Sequence, residues 1–251
     1  MRGILWCALV ASASSAWAGA PIVENFEGGV SGWRVADMVC GGPYLSPAGI
    51  YEVDWNESGG NPGAYISRLD PSSNCFYFEA SEVFTGDLSG YVGGRLGYSV
   101  RTDLDNYDLE RGVILIGADN TVLYGELPLP ATGIWGRRCL LLNAASFRVG
   151  NRSGAIATPA QFQAVMADVA KLYLPAEFGS IVAETVGIDR VELSGACLAD
   201  VNVSGAVDLG DLNLILANFA STSGLGDLNC DGIVDLADLN AVLAAFGTVC
   251  D

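Results

Sequence analysis

Short apolar runs recur along the first three quarters of the chain, each bounded by clusters of Gly, Pro, Asn and Asp. They fall at residues 33–35, 76–78, 96–100, 113–116, 121–124, 138–142 and 186–193. Runs this short, closed off by turn-forming residues, predict antiparallel strands stacked as a β-sandwich of jelly-roll type. One stretch changes period. Thr158 is suited to cap a helix, Pro159 to occupy its first turn and Gln161 to close a capping box. Phe162, Val165, Met166 and Val169 then follow at helical spacing, which makes them a core-facing stripe. The expected fold class is therefore mainly β, a sandwich with one short helix, followed by a small all-α module.

That module is read from an internal repeat. Residues 200–219 and 227–246 align at an offset of 27. Each copy is a twelve-residue acidic loop running into an apolar helix. Calcium takes about six to eight oxygen ligands, and a loop of this length supplies them from positions 1, 3, 5, 7, 9 and 12. In the first copy these are Asp200, Asn202, Ser204, the carbonyl of Ala206, Asp208 and Asp211; in the second they are Asp227, Asn229, Asp231, the carbonyl of Ile233, Asp235 and Asp238. Gly205 and Gly232 fall where the loop turns most sharply. Val207 and Val234 follow, pointing inward so that the paired loops share a short strand contact. Two calcium ions are expected, the second loop binding tighter because Asp231 stands where the first loop has Ser204. By helical spacing, Leu212, Ile215, Leu216, Phe219, Leu239, Val242, Leu243 and Phe246 are expected inside the module, leaving a weakly apolar exterior at Leu209, Gly210, Asn213, Leu236, Ala237 and Asn240.

Charge sharpens this division. The chain carries 12 basic and 29 acidic residues, no histidine and a net charge of −17. Phosphate neutralisation needs clustered Lys and Arg, so nucleic acid is not an expected partner. From Cys197 onward there are Asp residues but no Glu, Lys or Arg. The expected units are a signal peptide at 1–18, a sandwich at 24–194 and the calcium repeats at 197–251. The signal is read from Arg2, the apolar stretch 4–13 and the small-x-small site Ala16-Trp17-Ala18. No run reaches the length of a membrane span, so no span is expected after signal cleavage and the protein is placed outside the cell or at its surface.

Six cysteines remain beyond the signal, and export favours disulfides. Chain start and end approach each other in a pseudo-twofold pair of repeats. A Cys197–Cys250 clasp is therefore expected, with Cys40–Cys75 in the sandwich and Cys230 as the competitor for Cys250. Without histidine there is no Ser-His-Asp or Cys-His arrangement, and no Walker or Rossmann glycine pattern is present. The expectation is a protein without catalysis.

Two resemblances follow. The paired loops, with Asp at position 12, no entering helix and Phe219 and Phe246 closing the helices, resemble a type I dockerin over residues 200–247. That family attaches its carriers to cohesin domains through loop positions 10 and 11 and basic helix residues. Here those positions are Leu209-Gly210 and Leu236-Ala237 and the helices lack bases, so a cohesin-like partner is left open and conventional type I cohesins are not expected to bind. Over residues 54–193, Gly60-Asn-Pro-Gly-Ala-Tyr-Ile66, Phe76-Tyr-Phe-Glu-Ala80, Phe84-Thr-Gly-Asp87, Tyr91-Val-Gly-Gly-Arg-Leu-Gly-Tyr-Ser99, the 162–172 stretch and Gly187-Ile-Asp-Arg-Val-Glu-Leu193 resemble a laminin IV type A (laminin B) domain. This resemblance implies an extracellular β-sandwich that binds a glycan or a matrix or envelope protein. The expected function is non-catalytic binding or scaffolding with a calcium-dependent attachment piece. The alternative is an accessory, carbohydrate-binding component of a polysaccharide-degrading complex.

Weaker signals complete the reading. Glu27 and Asp189 are a candidate third calcium site where first and last strands meet, against their being ordinary surface carboxylates. Trp33, Tyr51, Trp55, Tyr65 and Trp135 are either sandwich core or a sugar-stacking platform, the core reading being favoured. Asn56, Asn151 and Asn202 begin glycosylation sequons.

Overall fold

A computed structural model describes residues 20–104, 110–179, 184–202, 204–222 and 225–250. The signal segment at 1–18 lies outside the described residues. Thirteen strands are defined among those residues: β1 (Ile22–Glu24), β2 (Arg34–Met38), β3 (Gly49–Glu52), β4 (Asp54–Gly60), β5 (Gly63–Leu69), β6 (Cys75–Glu79), β7 (Arg95–Thr102), β8 (Gly112–Gly117), β9 (Val122–Glu126), β10 (Gly136–Leu141), β11 (Arg148–Val149), β12 (Val169–Pro175) and β13 (Thr185–Ser194). The helices are α1 (Pro159–Met166), α2 (Leu209–Ala217) and α3 (Leu236–Ala245).

The strands form two antiparallel sheets. One runs β10-β7-β13-β5-β4 with β1 added along β13; the other runs β11-β9-β8-β12-β6-β2-β3. Their facing sides enclose one core, in which Phe26, Trp33, Val35, Ile66, Phe76, Phe78, Val100, Leu115, Leu123, Leu172, Leu174 and Ile188 are buried. Alternate residues of the strands that line this core point inward, as two packed sheets require. The run at 76–78 is apolar without alternation because β6 is covered on both faces. Its outer face, with Tyr77 beside Ile114, Tyr124 and Tyr173, lies under a segment carrying buried Tyr44. That segment is fixed by the Cys40–Cys75 disulfide and by Glu110, whose Oε1 accepts from Gly41 N at 2.5 Å and Tyr44 OH at 3.0 Å.

Periodicity did not disclose β4, whose sequence Asp-Trp-Asn-Glu-Ser-Gly-Gly has almost nothing to bury; its ladder to β5 makes it a strand. The capping box of α1 forms as expected, with Thr158 accepting from Gln161 N. Val169 is buried but opens β12 instead of extending the helical stripe, because its backbone is taken up in a two-way exchange with Gly86.

The C-terminal repeats have a core of their own, built from Ala199, Val201, Val207, Ile215, Leu228, Val234 and Val242. Val207 and Val234 are fully buried, but they do not pair with each other. Val207 exchanges hydrogen bonds with Gly247 and Thr248 beyond α3, and Val234 with Ala220 and Ser221 beyond α2. Each loop therefore closes on the tail of the other repeat. The Cys197–Cys250 disulfide clasps the two ends. Among the described residues no helix is long and apolar enough to cross a membrane.

Candidate functional site

The two acidic loops repeat one hydrogen-bond pattern. In the first, Asp200 accepts from Ser204 N (2.9 Å) and Gly205 N (2.8 Å), and Asn202 Oδ1 accepts from Ser204 N (2.9 Å). In the second, Asp227 accepts from Asp231 N (3.2 Å) and Gly232 N (2.9 Å), and Asn229 Oδ1 accepts from Asp231 N (3.0 Å). Position 12 repeats as closely. Asp211 accepts from Asn202 N and Asp208 N, and Asp238 from Asn229 N and Asp235 N. Asp208 and Asp235 cap α2 and α3 by accepting from Gly210 N and Ala237 N. Gly205 and Gly232 have φ of +89° and +98°, a conformation costly for any residue with a Cβ.

Asp211 and Asp238 are completely buried. Burial raises the Asp227 carboxyl above its ordinary range, and the charges of Asp238 and Asp231 add to this. A buried carboxylate is costly without compensating charge, and residues 197–251 contain no Lys or Arg. The donors are oxygen only, the kind that hard cations take. In the structure they are turned onto loop amides, and among the described residues no three His, Cys, Asp or Glu side chains converge as a metal group. The Ala206 carbonyl accepts from Ser204 Oγ at 3.1 Å, while Ile233 is exposed at the loop rim.

The helices differ from expectation. Ile215 and Val242 are buried, Leu212 and Leu239 partly so. Leu216, Phe219, Leu243 and Phe246 are not inside. Exposure is 64% and 63% for Leu209 and Leu236, 53% and 50% for Leu216 and Leu243, and 43% and 48% for Phe219 and Phe246. Two short helices bury only the stripe where they meet, and nothing further among the described residues covers the opposite sides. The exterior is thus a duplicated apolar face, not a weakly apolar one.

The module is also joined to the sandwich. Cys230 pairs with Cys139 of β10, not with Cys250, and Arg95 of β7 donates to the Asp227 carbonyl at 3.0 Å. Sequence offered no signal for Cys139–Cys230, since the partners are 91 residues apart.

On the sandwich, the hairpin between β4 and β5 brings Glu27 and Asp189 together. Glu27 Oε1 accepts from Ala64 N at 3.1 Å, and Asp189 Oδ2 from Asn61 N at 2.5 Å. Asp189 is fully buried, and burial foremost raises its carboxyl, with Glu27 contributing. A Cβ on Gly63 would fall 1.8 Å from Glu27 Oε1, so glycine is required for this approach. Two carboxylates remain well short of a calcium shell.

The five aromatic residues do not make one platform. Trp33 is core, edge-on to Phe26 and Phe84; Tyr51 packs against the core; Trp55 donates to the Phe26 carbonyl. Tyr65 and Trp135 do pair, at 5.2 Å, with the Arg101 guanidinium over both rings.

The family model for Laminin B (Domain IV) matches residues 77–206. The chain belongs to the laminin B (domain IV) family. The L4b domain of human laminin alpha-2 shares the fold, with 14% identity, 71% of this chain and 99% of that domain covered and a TM-score of 0.56. Fainter likenesses are to CtCBM11 (14% identity, 73% of this chain and 98% of that one, TM-score 0.43) and an exo-beta-agarase (12% identity, 69% and 26%, TM-score 0.42). No curated protein sequence matches. Laminin B is a non-enzymatic domain type, and laminin domains and disulfides are typical of extracellular proteins.

Proposed function

We propose that this laminin B family protein is a secreted, non-catalytic binding protein of the extracellular space or cell surface. The sandwich contacts a glycan or a matrix or envelope protein. The C-terminal repeats are a dockerin-like attachment module that binds two calcium ions.

The observation that carries this reading is the duplication. Two loops repeat the same amide-to-carboxylate network, and each is followed by the same exposed apolar triplet. In this reading the first ion is held by Asp200, Asn202, Ser204, the Ala206 carbonyl, Asp208 and Asp211. The second is held by Asp227, Asn229, Asp231, the Ile233 carbonyl, Asp235 and Asp238. Calcium supplies the positive charge that the segment lacks. Glu27 and Asp189 are the weaker candidate for a third ion.

The exposed triplets are the surface offered to the attachment partner. Leu209 and Leu236 stand at the most exposed positions, so contact there is apolar and is not steered by charge. The second reading, an accessory of a polysaccharide-degrading complex, is favoured by the dockerin-like loops and would need a cohesin-like partner.

Calcium titration by calorimetry, paired with affinity capture from envelope and matrix extracts with and without chelator, tests the proposal. Two binding events and calcium-dependent capture are expected. Absence of calcium binding would remove the attachment reading, and capture by a conventional cohesin would promote the second reading.

A further inference from the structure

The outer face of the seven-stranded sheet carries a cavity of about 970 Å³, distant in role from the acidic loops. Its floor is an ion trio drawn from three adjacent strands. Arg34 of β2 and Lys171 of β12 both bond to Glu79 Oε1 of β6, at 2.8 and 2.5 Å. The Glu79 side chain is 4% exposed, whereas both cations remain nearly half exposed and line the cavity. Beside them lie Ser81, Glu82 and Thr85. Ser81 is 6% exposed, and its Oγ is buried with no hydrogen-bond partner. That hydroxyl sits behind the cavity wall, and the groups a ligand can reach are the exposed ends of Arg34 and Lys171.

We propose that this groove binds a short neutral oligosaccharide. The volume lies at the upper end of the range of ligand pockets. The two basic and two acidic side chains cancel, so an ion gains no net attraction there, and the chain's charge of −17 repels polyanions. What the groove offers is a dense set of donors and acceptors: guanidinium, ammonium, carboxylates and hydroxyls. A polyhydroxylated ligand presents both in return. Recognition here is by hydrogen bonds and not by ring stacking, since the paired aromatics Tyr65 and Trp135 lie on the other sheet. The inference rests on the sandwich being a non-catalytic binding domain and does not rest on the calcium loops.

Calorimetry with the intact, disulfide-bonded chain tests it, against hexasaccharides of β-glucan, xylan and mannan type and against oligogalacturonate. Binding to at least one neutral oligosaccharide is expected, weakened about 3- to 10-fold by Lys171→Ala and by Arg34→Ala. Ser81→Ala, whose hydroxyl lies behind the cavity wall, should leave affinity unchanged. Trp135→Ala should leave affinity unchanged, and chelator should leave it unchanged as well. The proposal is overturned by binding confined to oligogalacturonate, by no binding to any neutral probe, or by affinity lost in Trp135→Ala but kept in Arg34→Ala and Lys171→Ala. Loss of sugar binding in chelator would likewise overturn it by moving the ligand to the calcium loops. Failure of calcium binding with sugar binding intact would count against the attachment module alone.

Discussion

Arg95 Nη1 of the sandwich donates to the carbonyl oxygen of Asp227, the first residue of the second acidic loop, at 3.0 Å in a buried setting. The same guanidinium lies 3.9 Å from Glu192, which Arg137 also holds at 2.9 Å. The sandwich thus reaches across with a charged donor to a backbone that its own segment, lacking Lys and Arg, can meet with no basic side chain.

Replacing that donor leaves the Asp227 carbonyl buried and unpartnered. Arg95→Met is expected to cost about 1.5–3 kcal/mol. Urea unfolding of the purified chain measures it, and faster proteolysis near residues 194–200 should accompany the loss.

The Cys139–Cys230 bond closes a loop of about 90 residues between the two units. In the chain-entropy model such a closure stabilises by about 4–5 kcal/mol. A Cys139→Ser, Cys230→Ser double variant should unfold at lower denaturant while retaining the Cys197–Cys250 clasp. Peptide mapping without reductant reads the pairing directly; Cys230 recovered on Cys250 would contradict the arrangement.

Glu177 and Glu184 give a pH dependence of known sign. Burial foremost, then the charges of Asp70 and Glu184, raise Glu177 to about 8; burial raises Glu184 to about 7. A carboxyl whose folded value is raised holds its proton in the folded state after the unfolded chain has released it. Its contribution is complete below the unfolded value of 4.5 and is lost as pH rises towards about 8. Glu177→Gln removes that loss. The variant should gain stability over the parent between pH 5 and 8, reaching up to a few kcal/mol at pH 8. Thermal melts of both proteins across this range decide, and a constant difference would count against the assignment.

If the repeats hold calcium, chelation should strip order from residues 197–251, and added calcium should restore helix. Asp227→Ala and Asp238→Ala should weaken the second site more than Ser204→Ala weakens the first, because each removes a carboxylate from the set of donors. Far-UV circular dichroism during calcium titration follows both effects. A helical spectrum unchanged in chelator would argue against the proposal.

Substituting the outermost apolar pair should separate attachment from folding. Leu209→Lys with Leu236→Lys is expected to shift stability by no more than about 0.5 kcal/mol per site, since both side chains are largely in solvent. Calcium-dependent capture of the attachment partner should be lost. Retention of capture by the double variant would place the contact elsewhere.

Much of this molecule is legible in its sequence wherever partners are neighbours. The α1 capping box joins Thr158 to Gln161, and the carboxylate-to-amide bonds of each acidic loop lie within twelve residues, so spacing alone points to them. The apolar runs named β2, β6, β7, β8, β9, β10 and β13, seven of the thirteen strands, because alternation is a local property. β4 escaped because it is polar and owes its conformation to the β5 ladder.

Tertiary structure decided everything that depends on what lies opposite. Tyr77 and Tyr124 are buried on an outer sheet face only because the segment bearing Tyr44 crosses it. Leu216 and Phe219 have the periodicity of core residues, yet they face solvent because, among the described residues, no third element packs against the two short helices. Arg34, Glu79 and Lys171 are scattered along 138 positions of sequence and meet because β2, β6 and β12 are adjacent strands. Sequence spacing reports which side of an element is apolar. Which side is covered depends on distant chain segments, and the free energy of burial acts only once those segments arrive.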